Sequence, residues 1–186
     1  MVFRMDDIGA LVAPADSSDT RTSDLVAGTY DRHQRELFTF ALRACHEHTA
    51  AEDIVQEAFT RLIVEVEAGR TPHNIRAWLY RVVANLVVSR GRRTSVAQRQ
   101  LGALASDETD TGPEPVYLDH ERHADIETAL GELEADARTA LLMAASGFNG
   151  MEIAEAIGRS GTATRTLMCR TRLALRHRLE SMGSLA

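Results

Sequence analysis

The apolar positions fall into runs with a helical period. From Ile54, the residues Ala58, Leu62 and Val66 recur every four positions, with Val55, Phe59 and Ile63 beside them. That is the stripe of an amphipathic helix. Thr49-Ala50-Ala51-Glu52 ahead of it has the form of a capping box, and Gly69 stands where such a helix would stop. Tyr30, Leu37, Phe38, Ala41 and Leu42 predict a helix before it. Ile75, Trp78, Leu79, Val82, Val83 and Leu86, introduced by Pro72 and Asn74, predict one after it. No stretch alternates with period two for long enough to argue a sheet. Residues 29–93 should therefore form a small helical bundle.

A second patterned stretch covers residues 126–181. Ile126, Leu130 and Leu133 open one helix, and Ala137, Leu141 and Met143 belong to the next. Gly147-Phe148-Asn149-Gly150 then precedes a short helical run over 151–157, closed by Gly158 at a C-cap position. Ser160-Gly161-Thr162 turns the chain into a last helix reaching about Glu180. Two helices around a tight glycine turn make a helix-turn-helix pattern. The expected fold is all-α: two small helical domains joined by a flexible acidic linker.

Total charge at first argues against a nucleic-acid partner. The 21 basic residues, all arginine, face 27 acids for a net charge of −6, whereas a nucleic-acid footprint is basic. Its distribution reverses that impression. Residues 1–28 read as a disordered acidic leader and residues 94–125 as a linker, with Ser106-Asp107-Glu108-Thr109-Asp110 followed by Gly112, Pro113 and Pro115. Residues 76–93 and 159–178, by contrast, hold arginines and no acid. A basic helix behind a glycine turn suits insertion into a major groove, N-terminal end first.

Other classes are excluded more directly. The longest uncharged stretch, residues 139–151, is short and interrupted by glycines, so membrane insertion is not expected. The N-terminus reaches Asp6-Asp7 before any apolar segment, unlike a secretory signal. Cys45 and Cys169 lie far apart without metal-ligand spacing, which fits a reduced, cytoplasmic compartment. His46 and His48 point to different faces of a helix, unlike an HExxH pair, and His120 and His123 have no further ligand nearby. With no phosphate loop, nucleophile elbow or paired carboxylates, no enzyme, metal or cofactor is expected.

Ala51-Glu52-Asp53-Ile54-Val55-Gln56-Glu57-Ala58-Phe59 resembles the "AEDLVQEAF" segment of region 2 in bacterial extracytoplasmic-function (group 4) RNA polymerase sigma factors. Arg76-Ala77-Trp78-Leu79-Tyr80-Arg81-Val82-Val83-Ala84-Asn85 resembles that family's "AWLYRIAxN" segment, and Met151-Glu152-Ile153-Ala154-Glu155-Ala156-Ile157-Gly158 is similar to "EEIAEILG" of region 4. The order and spacing fit as well. The resemblance implies a non-catalytic sigma factor that binds core polymerase, recognises −35 and −10 promoter elements and assists melting of the latter. A stand-alone helix-turn-helix regulator and a sigma-like decoy that binds an anti-sigma factor are the alternatives.

Site residues follow from the resemblance. Asp53, Gln56 and Glu57 share a helix face by their spacing, and in the family that face docks on the β′ clamp coiled coil, with Ile54 and Phe59 in the same segment. Arg76, Arg81, Arg90, Arg92 and Arg93 would hold −10 phosphates. A short loop near Asn85 would receive a flipped base, whose edge an amide can read. Trp78 and Tyr80 could stack on bases, although Trp78 lies on the apolar stripe and is expected in the core. Thr162, Arg165, Thr166, Cys169 and Arg170 fall where the recognition helix contacts the −35 element. Arg159, Thr164 and Leu167 depart from the usual aliphatic, valine and basic residue, respectively. The implied partners are core RNA polymerase through the β′ clamp and the β flap, promoter DNA and, by family habit, an anti-sigma factor.

Overall fold

The computed structural model describes residues 17–101 and 120–183. The remaining parts of the expected leader and linker lie outside them. Seven helices follow in order among the described residues: α1 (Ser17–Cys45), α2 (His48–Glu67), α3 (Ile75–Leu101), α4 (His120–Gly131), α5 (Ala135–Ala145), α6 (Gly150–Ile157) and α7 (Gly161–Ser181). No strand occurs among the described residues. The chain is all-α, as its periodicity predicts.

The boundaries differ from the sequence reading in one direction. Helix α1 takes in residues 17–28, expected as leader, and α3 and α4 run into both ends of the expected linker, to Leu101 and from His120. These flanks are polar, so they add no apolar stripe for a periodicity search to detect. Helices propagate past their buried turns because each added residue gains a backbone hydrogen bond.

Helix ends show which local signals act. The expected capping box at Thr49 and Glu52 does not form, because α2 already begins at His48 with Glu47 at its N-cap. His46 takes a left-handed conformation (φ 57°) that reverses the chain one residue before that cap. The Glu47 side chain makes no cap bond and instead reaches Arg90 at 2.8 Å. A complete capping box stands at α6: Asn149 Oδ1 accepts from the Met151 and Glu152 N–H groups, and the Asn149 N–H donates to Glu152. Gly158 ends α6 at φ 65°, and Ser160 Oγ caps α7 by accepting from the Ala163 N–H. These two caps fix the turn of the helix-turn-helix. Asn74 starts α3 in the same way, accepting from the Ala77 N–H.

One apolar cluster runs through both units. Leu37, Ala41, Ala51, Ile54, Ala58, Leu62, Leu79 and Val83 form its part in α1–α3, and Met143, Ile153, Ala156, Ile157 and Met168 continue it into α5–α7. Helix α3 packs on α1, α2, α5 and α6, so its buried arc serves two sides. Phe148, in the turn before α6, lies 4.9 Å from the Tyr80 ring. The two helical domains are docked against each other.

Inside the second unit, Thr164 occupies a position where valine is usual. Its side chain is buried at 1% exposure and its hydroxyl has no hydrogen-bond partner. A buried unpaired hydroxyl opposes folding. Thr164→Val should therefore stabilise the protein by about 1 kcal/mol, read as a higher urea midpoint at unchanged m-value.

Candidate nucleic-acid interface

Helix α2 presents a polar face opposite its buried stripe. Asp53, Gln56 and Glu57 are exposed on it, and Glu57 pairs with Arg61 one turn on at 2.8 Å. Ile54 and Phe59, which the resemblance puts in the same contact segment and the apolar stripe puts in the core, are buried at 6% and 5% exposure. Residues adjacent in a motif point to different sides of a helix, and these two turn inward to hold α2 in the bundle. The sequence reading missed Val64, which extends the face of Asp53 and Glu57 and is half exposed. An aliphatic at a polar-face position was the signal available.

The arginines of α3 are arranged differently from the expectation. Arg76 lies partly buried, 3.2 Å from Glu36 and stacked 4.7 Å over the Tyr80 ring. It is thus tied to α1 rather than presented to a phosphate. Tyr80 is itself buried, with its hydroxyl 3.4 Å from Glu36, so it offers no face for stacking here. Trp78 is half-buried against the core, as its place on the stripe predicts. Asn85 is exposed but sits inside α3, accepting from the Ser89 hydroxyl, and no loop exists at that point. The nearest loop is the one before α3. There Pro72, His73 and Asn74 border a shallow crevice shared with Trp78, Met143 and Phe148.

Most of the remaining α3 arginines have acidic partners. Arg81 pairs with Glu155 of α6, and Arg92 lies 3.0 Å from Asp136 of α5 while also donating to the Ile157 carbonyl. Arg90 reaches back to Glu47 in its own unit. Arg93 is exposed. Asp136, buried at 7% exposure, is also held by Arg159 at 2.6 Å. The unusual arginine after Gly158 thus has a structural role, and its occurrence where an aliphatic is usual was the only hint of Asp136 in the sequence.

Helix α7 is the most open of the surfaces. Thr162, Arg165, Thr166, Cys169 and Arg170 are all exposed and follow helical spacing along one side. Leu167 packs against the core, and Met168 and Thr171 are buried on the inner side. The outer face is free of acids as far as Arg178. Such a face can approach a polyanion without like-charge repulsion.

Sigma-70 region 2 matches residues 29–96. The chain is 30% identical to the ECF RNA polymerase sigma factor SigL of Mycobacterium tuberculosis over 82% of its own length and 85% of that protein's. The chain belongs to the extracytoplasmic-function RNA polymerase sigma factors. It is 28% identical to SigE of Mycolicibacterium smegmatis over 82% of this chain, but spans only 61% of that longer relative. Among solved structures it is similar to the sigma factor RpoE of Bartonella quintana, in complex with the anti-sigma factor NepR, with a TM-score of 0.65 and 26% identity over 85% of this chain and 98% of that one. CnrH, in complex with the cytosolic domain of CnrY, shares the fold with a TM-score of 0.57 at 22% identity, over 88% of this chain and 95% of that one.

In this sigma factor the root of α3 is held by a carboxylate, that of Glu36. Burial pushes this carboxyl group up, but hydrogen bonds from His33 and Arg76 and the charge of Arg76 outweigh it and hold it below the ordinary value of 4.5. A carboxyl group lowered in the folded state stabilises that state above its unfolded pKa and loses the contribution as pH falls. Glu36→Gln should therefore cost stability near neutral pH, by about 1 kcal/mol or less for so exposed a pair. The difference from the parent should shrink as pH drops below 4.5, as measured by urea unfolding across pH.

Proposed function

We propose that this protein is a promoter-specificity subunit of a bacterial RNA polymerase, itself non-catalytic and acting in the cytoplasm. Residues 29–93 bind core enzyme and the −10 element, residues 126–181 bind the −35 element, and the acidic segment between them passes through the polymerase. The observation that carries the reading is the acid-free, exposed face of α7, presented by two well-capped helices in a chain whose first unit matches sigma-70 region 2. On α7, Arg165 and Arg170 supply guanidinium groups for bases and phosphates, while Thr162, Thr166 and Cys169 line the same side. On α2, Asp53, Gln56 and Glu57 offer carboxylates and an amide to the basic β′ clamp, with Val64 beside them. The β flap would engage the second unit.

One similar protein, the sigma factor RpoE of Bartonella quintana, was solved with an anti-sigma factor, NepR. An inhibitory protein partner of that kind is proposed for this chain too. The no-enzyme reading rests on the family, whose members direct the catalytic core and do no chemistry of their own.

Run-off transcription with purified core polymerase, on a promoter found by genome-wide binding, tests the assignment. A specific transcript is expected only when the protein and core are both present. Asp53→Arg with Glu57→Arg should abolish co-elution with core in gel filtration while leaving the helical content unchanged. Arg165→Ala or Arg170→Ala should lower −35-dependent initiation roughly tenfold without changing core binding. Tight binding to duplex promoter DNA without core, and no transcript with it, would make the protein a stand-alone regulator.

A further inference from the structure

The start of α7 is held at three points. Gly158, in the left-handed conformation, turns the chain out of α6, and the Ser160 hydroxyl caps α7 by accepting from the Ala163 N–H. These two act within the turn and leave open where the turn sits on the rest of its unit. The third point fixes that. Arg159, between them, donates from Nε and from a terminal nitrogen to one carboxylate oxygen of Asp136, at 2.9 and 2.6 Å. Its backbone N–H is bonded to the Ala154 carbonyl at 3.0 Å, so the side chain starts from a fixed backbone. Two donors on one rigid, planar group set its orientation as well as its distance.

Asp136 is a firm anchor. It stands in the first turn of α5, where the helix dipole favours a carboxylate, and it is nearly buried. The ion pair therefore runs from the start of α5 to a point one residue ahead of the α7 cap and three ahead of Thr162, the first residue assigned to the −35 element. A recognition helix reads bases with its N-terminal residues, so this is the end whose placement matters most. As a source of stability the pair is modest, because Arg159 is partly exposed. Asp136 also receives Arg92 at 3.0 Å, so the loss of Arg159 does not strand the acid. Leu167, the second departure from the usual pattern, packs against the core and seats α7 from its inner side.

We propose that Arg159 is a positioning residue for −35 recognition. Through Asp136 it sets the place and tilt of the N-terminal end of α7, and base reading by Arg165 and its neighbours depends on it although Arg159 itself contacts no base. The inference rests on the assignment of α7 to the −35 element. A binding group is precise only when the shell behind it is fixed, and here that shell is one guanidinium on one carboxylate.

Three full-length variants test the proposal, each assembled with purified core polymerase. Arg159→Leu puts an aliphatic at the position where one is usual, Asp136→Ala removes the acceptor, and the third combines both. Run-off transcription is measured on a promoter found by genome-wide binding and on the same promoter with its −35 element scrambled. The ratio of the two rates reads −35 recognition alone.

The parent should favour the intact promoter. Each single variant should lower the ratio by about fivefold or more, the low end of what one base contact discriminates. The double variant should lower it no further, since both changes remove the same link. Rates on the scrambled promoter and co-elution with core should stay at parent values. An unchanged ratio in Arg159→Leu overturns the proposal. So does a fall in Arg159→Leu with none in Asp136→Ala, which makes Arg159 a direct phosphate contact. An equal fall on both promoters overturns it as well, since the pair then only supports the fold. A parent whose rate ignores the −35 sequence, with Arg165→Ala equally without effect, overturns the −35 assignment on which the proposal rests.

Discussion

The whole molecule is organised by the width of the apolar arc on α3. Leu79, Tyr80, Val83, Ala84, Val87 and Val88 are all buried, and Trp78, Val82 and Leu86 are partly so. A stripe that broad cannot be satisfied by a single neighbour. It closes the first bundle against α1 and α2 and leaves a second flank for α5 and α6. The hydrophobic effect therefore drives both the formation of the first unit and the recruitment of the second, through the same helix. The exposed ion pairs along that flank add little energy each. Their contribution is to set which acids meet which arginines.

Much of this was legible in the chain. The four-residue recurrence from Ile54 to Val66, the spacing of Ile75, Leu79, Val82 and Val83, and the glycines at 69 and 158 each report local geometry that a helix must obey, and the structure follows them. Where a signal was local but ambiguous it misled. Thr49 and Glu52 carry capping chemistry, yet His46 reverses the chain early enough that Glu47 takes the cap. Ile54 and Phe59 carried two signals at once, a place on the apolar stripe and a place in the motif of Asp53 and Glu57, and the stripe decides where they point.

What the sequence could not disclose were encounters between distant positions. Arg81 and Glu155, or Arg92 and Asp136, become neighbours only through the docking of two helical units, and no periodicity encodes that. Asn85 shows a related limit. Its role was tied to a loop expected from resemblance, whereas a run of apolar residues on both sides of it continues the helix unbroken through that point. Arg76 was read from the resemblance, which carries no trace of its ion pair with Glu36 or its place beside the Tyr80 and Phe148 rings.

The carboxylate of Asp136, shared between an arginine of each unit, has a consequence for ionic strength. Dissolved salt screens exposed ion pairs far more than buried ones, and this carboxylate is nearly buried while both of its guanidinium partners reach solvent. The seam between the units is thus held at its Asp136 end by a contact that ionic strength loosens less than it loosens the exposed pairs Arg43–Glu127 and Arg81–Glu155.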